Sequence, residues 1–233
     1  MSGISSGIKS LPAWTITKWD LDKEERPFAS GFFSSVYKGV LRGREVAIKI
    51  LDPKTPWILF QRQSAIWASL EPHPNILLFL GVSSATGNPP WFLVSPYMKN
   101  GNLVDFLKAK SSLGHQERYK NPSALRMLHE IATRMVYLHD KQVLHGDLRA
   151  NDILIDDELR CVISDFGQSQ LRGEISKLNP LPICGMLRWQ APEIINGEGT
   201  LTPQVDVYAF AIVCMELLGN GQQPWLGKDD DTV

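Results

Sequence analysis

Cysteine is scarce in this chain, and the few cysteines present form no recognisable set. Cys161, Cys184 and Cys214 lie far apart, without a Cys-x-x-Cys pair or the Cys/His spacing of zinc ligands. This pattern argues against a disulfide framework and against a structural zinc site. No secretory signal is visible, so we expect an intracellular, cytoplasmic location.

The chain also lacks an excess of charge and a long hydrophobic run. Its 24 Lys and Arg residues nearly balance its 25 Asp and Glu residues, for a formal net charge of −1. We therefore expect neither nucleic acid nor an anionic membrane surface as a partner. The most apolar stretch, residues 207–218, is too short to span a bilayer and contains Glu216. It is apolar nearly all round and is interpreted as a helix buried inside a globular domain.

The chain does contain a clear order of secondary-structure patterns. The predicted strands lie within residues 14–50, with a turn at Arg42-Gly43, and within residues 75–82 and 91–98. The predicted helices cover residues 57–70, 103–110 and 121–139, and a further one begins near residue 206. Strands followed mainly by helices predict an α+β fold. It should have a small β-rich lobe that contains one helix, and a larger, mainly helical lobe.

Helical periodicity also predicts which faces are buried. In the first helix the inward stripe consists of Leu59, Gln63, Ile66 and Leu70. One polar residue, Gln63, should therefore point inward. In the third helix the predicted buried stripe consists of Leu125, Leu128, Ala132 and Met135.

Three short motifs carry charged residues suited to nucleotide chemistry. Lys49 ends the apolar strand VAIK, where its ammonium can hold phosphates. In the loop HGDLRAND, Asp147 can accept the proton of an incoming hydroxyl, and Arg149 can neutralise charge on a moving phosphoryl group. In DFG, Asp165 can hold Mg²⁺ against phosphate oxygens. Each motif alone has a plain alternative, such as an exposed strand lysine or a polar turn.

The order of the motifs is more specific than any one of them. A glycine-containing loop, VAIK, an inward-facing helix, HGDL, DFG, APE and DVYAF follow one another along the chain. The first six match the order of the protein-kinase template. The chain therefore resembles a protein kinase over about residues 19–226. HPNILLFLGV and LRWQAPEI are most similar to the tyrosine-kinase-like group.

This resemblance implies a bilobal fold that binds ATP and Mg²⁺ and transfers the γ-phosphate to a hydroxyl of a protein substrate. The implied parts are a mobile tail (1–13), an N-lobe (14–94), a hinge (95–101) and a C-lobe (102–233) that lacks its last helices. The implied catalytic residues are Asp147, Arg149 and Lys49, and the implied metal ligands are Asp165 and Asp152. The implied ATP-binding residues are Gly31, Val36, Ala47, Lys49, the gatekeeper Ser95, Pro96 and Met98.

The sequence departs from the family pattern at several of these positions. Gln63 stands where the family has the helix glutamate that pairs with the VAIK lysine, and no acidic residue lies between residues 53 and 70. Of the three loop glycines, only Gly31 remains. Asp152 replaces an asparagine, and a carboxylate is still a good Mg²⁺ ligand. Gly146 replaces the arginine of the HRD motif, which argues against loop phosphorylation as the main switch.

Three functions are therefore compared. Retained Lys49, Asp147 and Asp165 favour a protein kinase of weak activity, whereas Gln63 and the altered loop favour a pseudokinase that acts as a binding or scaffold module. A small-molecule phosphotransferase would explain HGDL but not the APE motif. The sequence leaves open whether the acceptor is serine/threonine or tyrosine.

Overall fold

The computed structural model describes residues 14–31, 34–55, 57–83, 91–111, 122–166, 187–197, 200–225 and 227–228. Its contacts divide the chain into two compact units. The first lies within residues 1–60 and 79–97, and the second within residues 61–78 and 98–233. The segment 61–78 thus belongs with the second unit.

The first unit is built on a five-stranded antiparallel sheet. Its strands are β1 (Leu21–Ser30), β2 (Ser34–Leu41), β3 (Arg44–Leu51), β4 (Gly81–Val82) and β5 (Phe92–Pro96). They lie in the order β1-β2-β3-β5-β4. The predicted turn between β2 and β3 is confirmed, because Arg42 and Gly43 have φ values of 50° and 77°. Positive φ at both positions is typical of a two-residue hairpin turn.

One face of this sheet packs on an apolar core. Ile16, Val46, Ile48 and Val94 are buried together. Side chains along a strand point alternately to the two faces of the sheet. The residues between Val46 and Ile48 and on either side of Val94 therefore project to the opposite face.

The second unit is mainly helical. Its helices are α2 (Leu103–Ser111), α3 (Ala124–Asp140), α4 (Pro192–Ile195) and α5 (Pro203–Leu218). Its strands β6 (Ile153–Ile155) and β7 (Cys161–Ile163) form an antiparallel pair. Helix α1 (Trp57–Ser69) begins in the first unit and continues into the second at residue 61. The predicted α+β fold is confirmed.

The buried face of α3 differs from the prediction. The buried residues are Met127, Ile131, Met135 and Leu138. Leu125, predicted to be buried, is 77% exposed. Apolar residues occupy two neighbouring rows of this helix, and only the packing partners decide which row faces inward. The helix also starts later than predicted, because the Ser123 hydroxyl accepts a hydrogen bond from the backbone N–H of Arg126 at 3.2 Å and caps it.

The strand predicted over residues 75–82 is only partly correct, because β4 has two residues. The first part of this segment instead runs beside β7. The backbone N–H of Leu77 donates to the carbonyl of Ile163 at 2.9 Å, and the N–H of Ile163 donates to the carbonyl of Asn75 at 3.0 Å. The Asn75 side-chain amide also donates to the carbonyl of Cys161 at 2.7 Å. Its apolar residues are therefore buried in the second unit.

Helix α5 is buried on one face, and apolar residues on its other face are exposed. Val205, Ala209 and Val213 are buried, whereas Val207 and Leu218 are more than 60% exposed. Among the described residues, no helix is both long enough and apolar enough to cross a membrane. Cys161 and Cys214 are free, and Cys184 lies outside the described residues.

Candidate functional site

The strand register brings four of the predicted ATP-binding residues to one face of the first unit's sheet. Val36 lies opposite Lys49, and Ala47 lies opposite Ser95. Lys49 and Ala47 are two residues apart in β3, so their side chains point the same way. This is the face opposite the apolar core. Ser95, the predicted gatekeeper, is only 7% exposed.

The remaining nucleotide positions lie at chain turns. The N–H of Gly31 donates to the carbonyl of Ser34 at 2.8 Å. A Cβ added to Gly31 would meet only that carbonyl oxygen, at 3.9 Å, so the space beside this glycine is open to a ligand. Pro96 ends β5 in the first unit. Met98 belongs to the second unit, where its carbonyl accepts the N–H of Gly101 at 3.1 Å.

In the second unit, the catalytic loop brings three predicted residues together. The Nε of Arg149 lies 3.4 Å from Oδ2 of Asp152, and its Nη2 lies 3.5 Å from Oδ2 of Asp147. Burial alone would lower the pKa of Arg149, but the charges of Asp152 and Asp147 outweigh it and the pKa is raised. Arg149 therefore keeps its positive charge between two carboxylates.

A buried acid at the start of α5, Asp206, holds this loop in place by hydrogen bonds. Asp206 is 1% exposed. Its carboxylate accepts the backbone N–H groups of His145 at 2.9 Å and Gly146 at 2.6 Å, and it bonds Nε2 of His139 at 2.8 Å. Gly146 has a φ of 70°, a conformation that glycine adopts without strain. Glycine at this position therefore suits the loop geometry.

The loop is also joined to the segment that carries Asp165. The carbonyl of Asp152 accepts both the N–H of Ser164 at 2.9 Å and its hydroxyl at 2.8 Å. The ring Nε2 of His145 lies 2.9 Å from the carbonyl of Ser164. Asp165 itself has a φ of 57°. Such a conformation is uncommon outside glycine, and strained residues of this kind cluster at functional sites.

The residue types and the loop bonds fit a Mg²⁺ site. Asp152 and Asp165 supply the hard oxygen ligands that this ion takes. Within the described ranges, no group of three or more His, Cys, Asp or Glu side chains forms a metal cage. Mg²⁺ is usually held by one or two carboxylates together with water and substrate phosphates.

Gln63 lies on the inward face of α1, as predicted, and is buried. In the second unit it lines a small pocket together with Trp67, Asp165 and Phe166. The Nε1 of Trp67 donates to the carbonyl of Leu77 at 2.7 Å, which fixes this part of the helix. A neutral amide therefore stands beside the DFG residues, where the family pattern has a carboxylate.

Comparison with known proteins decides the family. A family model described as protein tyrosine and serine/threonine kinase matches residues 23–233. The chain belongs to this protein kinase family.

Relatives of this kinase-family chain agree with that assignment. A probable serine/threonine-protein kinase of Dictyostelium discoideum is 34% identical over 204 residues, which are 85% of this chain and 21% of the relative. A serine/threonine/tyrosine-protein kinase of Arabidopsis thaliana is 33% identical over 230 residues, 89% of this chain and 56% of the relative. A dual specificity protein kinase of Dictyostelium discoideum is 32% identical, over 87% of this chain and 9% of the relative. The chain thus spans between 9% and 56% of the length of these relatives.

Motif reasoning named Asp206 as the start of DVYAF and Glu216 as a charge in the apolar stretch, but it did not predict that they hold the kinase loop in place. Both are acids inside a helix that the sequence marks as apolar. Acidic side chains are almost never fully buried unless they are paired. That rule applied to α5 would have singled out both, although not their partners.

Proposed function

We propose that this chain binds Mg-ATP and transfers the γ-phosphate to a hydroxyl of a protein substrate. The observation that carries the proposal is Arg149, held between the carboxylates of Asp147 and Asp152 in a loop bonded to the segment before Asp165. A degenerate loop would have no reason to keep this charged arrangement.

The chain's own residues have distinct roles in this proposal. Asp147 accepts the proton of the attacking hydroxyl, and Arg149 offsets negative charge on the transferring group. Asp152 and Asp165 would hold Mg²⁺, which would neutralise charge on the phosphates. Lys49, on the sheet face opposite the apolar core, would contact the α- and β-phosphates.

A second candidate function is that of a pseudokinase, a binding module without transfer. It is favoured by Gln63, a neutral residue beside Asp165. It predicts that Mg-ATP or a partner binds while no phosphate moves. An intracellular location is part of either proposal.

Transfer and binding are measured separately to distinguish the two. Initial rates to serine/threonine and tyrosine acceptor peptides are compared for the wild type, Asp147→Asn and the control Asp157→Asn, whose carboxylate is exposed and paired with Lys99. We expect Asp147→Asn to abolish transfer and Asp157→Asn to leave it unchanged. Unfolding with Mg-ATP at about a hundred times its Kd should show about 2.7 kcal/mol of added stability. Stabilisation with wild-type transfer equal to that of Asp147→Asn would favour the pseudokinase.

A further inference from the structure

Glu216 is a buried carboxylate that connects two separate segments of the second unit. It lies near the end of α5 and is 4% exposed. Its Oε2 accepts the backbone N–H of Ala150 at 3.0 Å and the indole Nε1–H of Trp189 at 2.9 Å. Burial of a charge is costly without such partners. The carboxylate therefore ties the catalytic loop to the short helical turn Leu187–Trp189.

The indole of Trp189 also contacts the loop's cation. The guanidinium carbon of Arg149 lies 5.8 Å from the centre of the Trp189 ring, on its face. This distance is within the range of a cation–π interaction, which is strongest with tryptophan. Arg149 directly precedes Ala150, so the contacts form a closed ring of residues. It runs from the Arg149 guanidinium to the Trp189 indole, from the indole to the Glu216 carboxylate, and from the carboxylate to the backbone N–H of Ala150.

Arg149 needs this support because its other contacts are long. Its bonds to Asp152 and Asp147 measure 3.4 and 3.5 Å. Charge-assisted hydrogen bonds between ions are usually about 2.7–2.9 Å. Two long bonds to two carboxylates leave the guanidinium plane poorly determined, whereas the indole face restricts it.

We propose that Trp189 and Glu216 are positioning residues that hold the Arg149 guanidinium for phosphoryl transfer. The inference rests on the proposed kinase function. It differs from a merely structural role of the two residues, which would affect folding but would not act through Arg149.

A double-mutant cycle separates the two roles. We expect Trp189→Leu to lower kcat about tenfold while KM for ATP changes less than about twofold, since the nucleotide residues are untouched. Trp189→Phe keeps an aromatic face but loses the indole N–H that bonds Glu216, so its kcat should lie between those of the wild type and Trp189→Leu. In an Arg149→Ala background, Trp189→Leu should change kcat less than about twofold, because residues that act as a unit are not additive. An undiminished tenfold loss in that background would overturn the proposal. Trp19→Leu, at an 84% exposed tryptophan, is the control.

Glu216 is tested by a conservative pair. Glu216→Gln keeps an acceptor oxygen for both N–H donors and should retain most of the rate, whereas Glu216→Leu should lose as much as Trp189→Leu. Equal losses in the two variants would contradict the ring. Melting temperatures of all variants identify those that fail to fold.

A spectroscopic readout keeps the inference testable without catalysis. The indole N–H resonance of Trp189 is identified by its absence in Trp189→Phe. It should shift in Arg149→Ala and in Glu216→Gln, and stay in place in Asp157→Asn. An unchanged resonance in Arg149→Ala would refute the contact, even if transfer is observed. A different outcome is that the resonance shifts as expected but the wild type transfers no more phosphate than Asp147→Asn. That outcome would reject the proposed function and leave the ring of contacts supported.

Discussion

The catalytic loop and the buried half of helix α1 differ in the charge of their inward-facing polar residues. Around the loop, the buried acids Asp206 and Glu216 and the half-buried Arg149 each have two or more bonded partners. In α1 the corresponding position is neutral, because Gln63 lies beside the DFG residues. The residues around the loop are thus charged and have bonded partners. The residue in α1 is neutral, at a position where the family pattern has one member of an ion pair.

The departures from the family pattern follow the same division. Gly146 and Asp152 lie within the bonded loop, and both are compatible with its geometry: one has a positive φ, and the other pairs with Arg149. Gln63 has no such compensation in sequence, since no acid lies between residues 53 and 70. The comparison teaches that a changed residue compatible with the bonds of its loop says less about lost activity than the loss of a charge that the family pattern pairs.

The largest expected effect comes from removing the loop's anchor. Asp206→Ala leaves the N–H groups of His145 and Gly146 without their acceptor, so the free energy of unfolding should fall by about 3 kcal/mol. Urea unfolding measures this. The exposed acid Asp157, replaced by alanine, should change it by less than about 0.5 kcal/mol. Equal effects would mean that the loop does not depend on this carboxylate.

The next largest effect tests the other side of the comparison. Gln63→Glu restores the charge that the family pattern has in α1, and charge-assisted bonds are about twice as strong as neutral ones. We expect the initial rate of transfer at saturating Mg-ATP to rise about tenfold. Adding Asp147→Asn should return the rate to background.

The matched control for that variant lies two residues away. Gln61 is on the exposed side of the same helix, so Gln61→Glu adds the same charge without entering the pocket. If both variants give the same rate, the missing charge at position 63 does not limit this chain.

A smaller effect is expected from the glycine of the loop. Gly146→Ala places a side chain at a φ of 70°, which should cost about 1 kcal/mol of unfolding free energy. Gly197→Ala, at a φ of 71° in an exposed turn, measures the same strain without the loop. A loss confined to Gly197→Ala would show that the loop relaxes around residue 146.

The smallest effect is a pH dependence at Glu216. Burial raises the pKa of Glu216, although the bonds from Trp189 and Ala150 oppose it. Since the folded state then binds the proton more tightly, this group's contribution to stability is greatest below the ordinary glutamate pKa of about 4.3 and falls as pH rises through the raised pKa. Glu216→Gln should therefore gain stability relative to the wild type as pH rises above the ordinary glutamate pKa. The exposed Glu158→Gln should show no such trend, and a parallel trend would rule out Glu216 as the source.

The sequence predicted the protein family more successfully than it predicted which residues are buried and which strands pair. The order of motifs indicated the family, and strand alternation alone places Lys49 and Ala47 on one face. The buried row of α3 was misplaced because Leu125 and Met127 are equally apolar, and burial depends on neighbours distant in sequence. Similarly, residues 75–77 are apolar enough for a strand, but their partner is β7 rather than the main sheet.

The bonds of Glu216 and Asp206 could not be derived from the sequence for a related reason. Those to the catalytic loop join positions 60 to 66 residues apart, and Glu216 lies 27 residues from Trp189, so no local pattern encodes these pairings. What the sequence does contain is the anomaly of two acids in an apolar helix. That anomaly indicates that partners exist without naming them.

The pairing of residues 75–77 with β7 has a mechanical consequence. The chain that leaves α1 is bonded to the strand that leads into Asp165, so a displacement of one should carry the other with it. Backbone hydrogen bonds therefore connect the segment after α1 to the segment that carries Asp165, whatever residue occupies position 63. A neutral residue at position 63 therefore changes the charge of the pocket and leaves these backbone bonds in place.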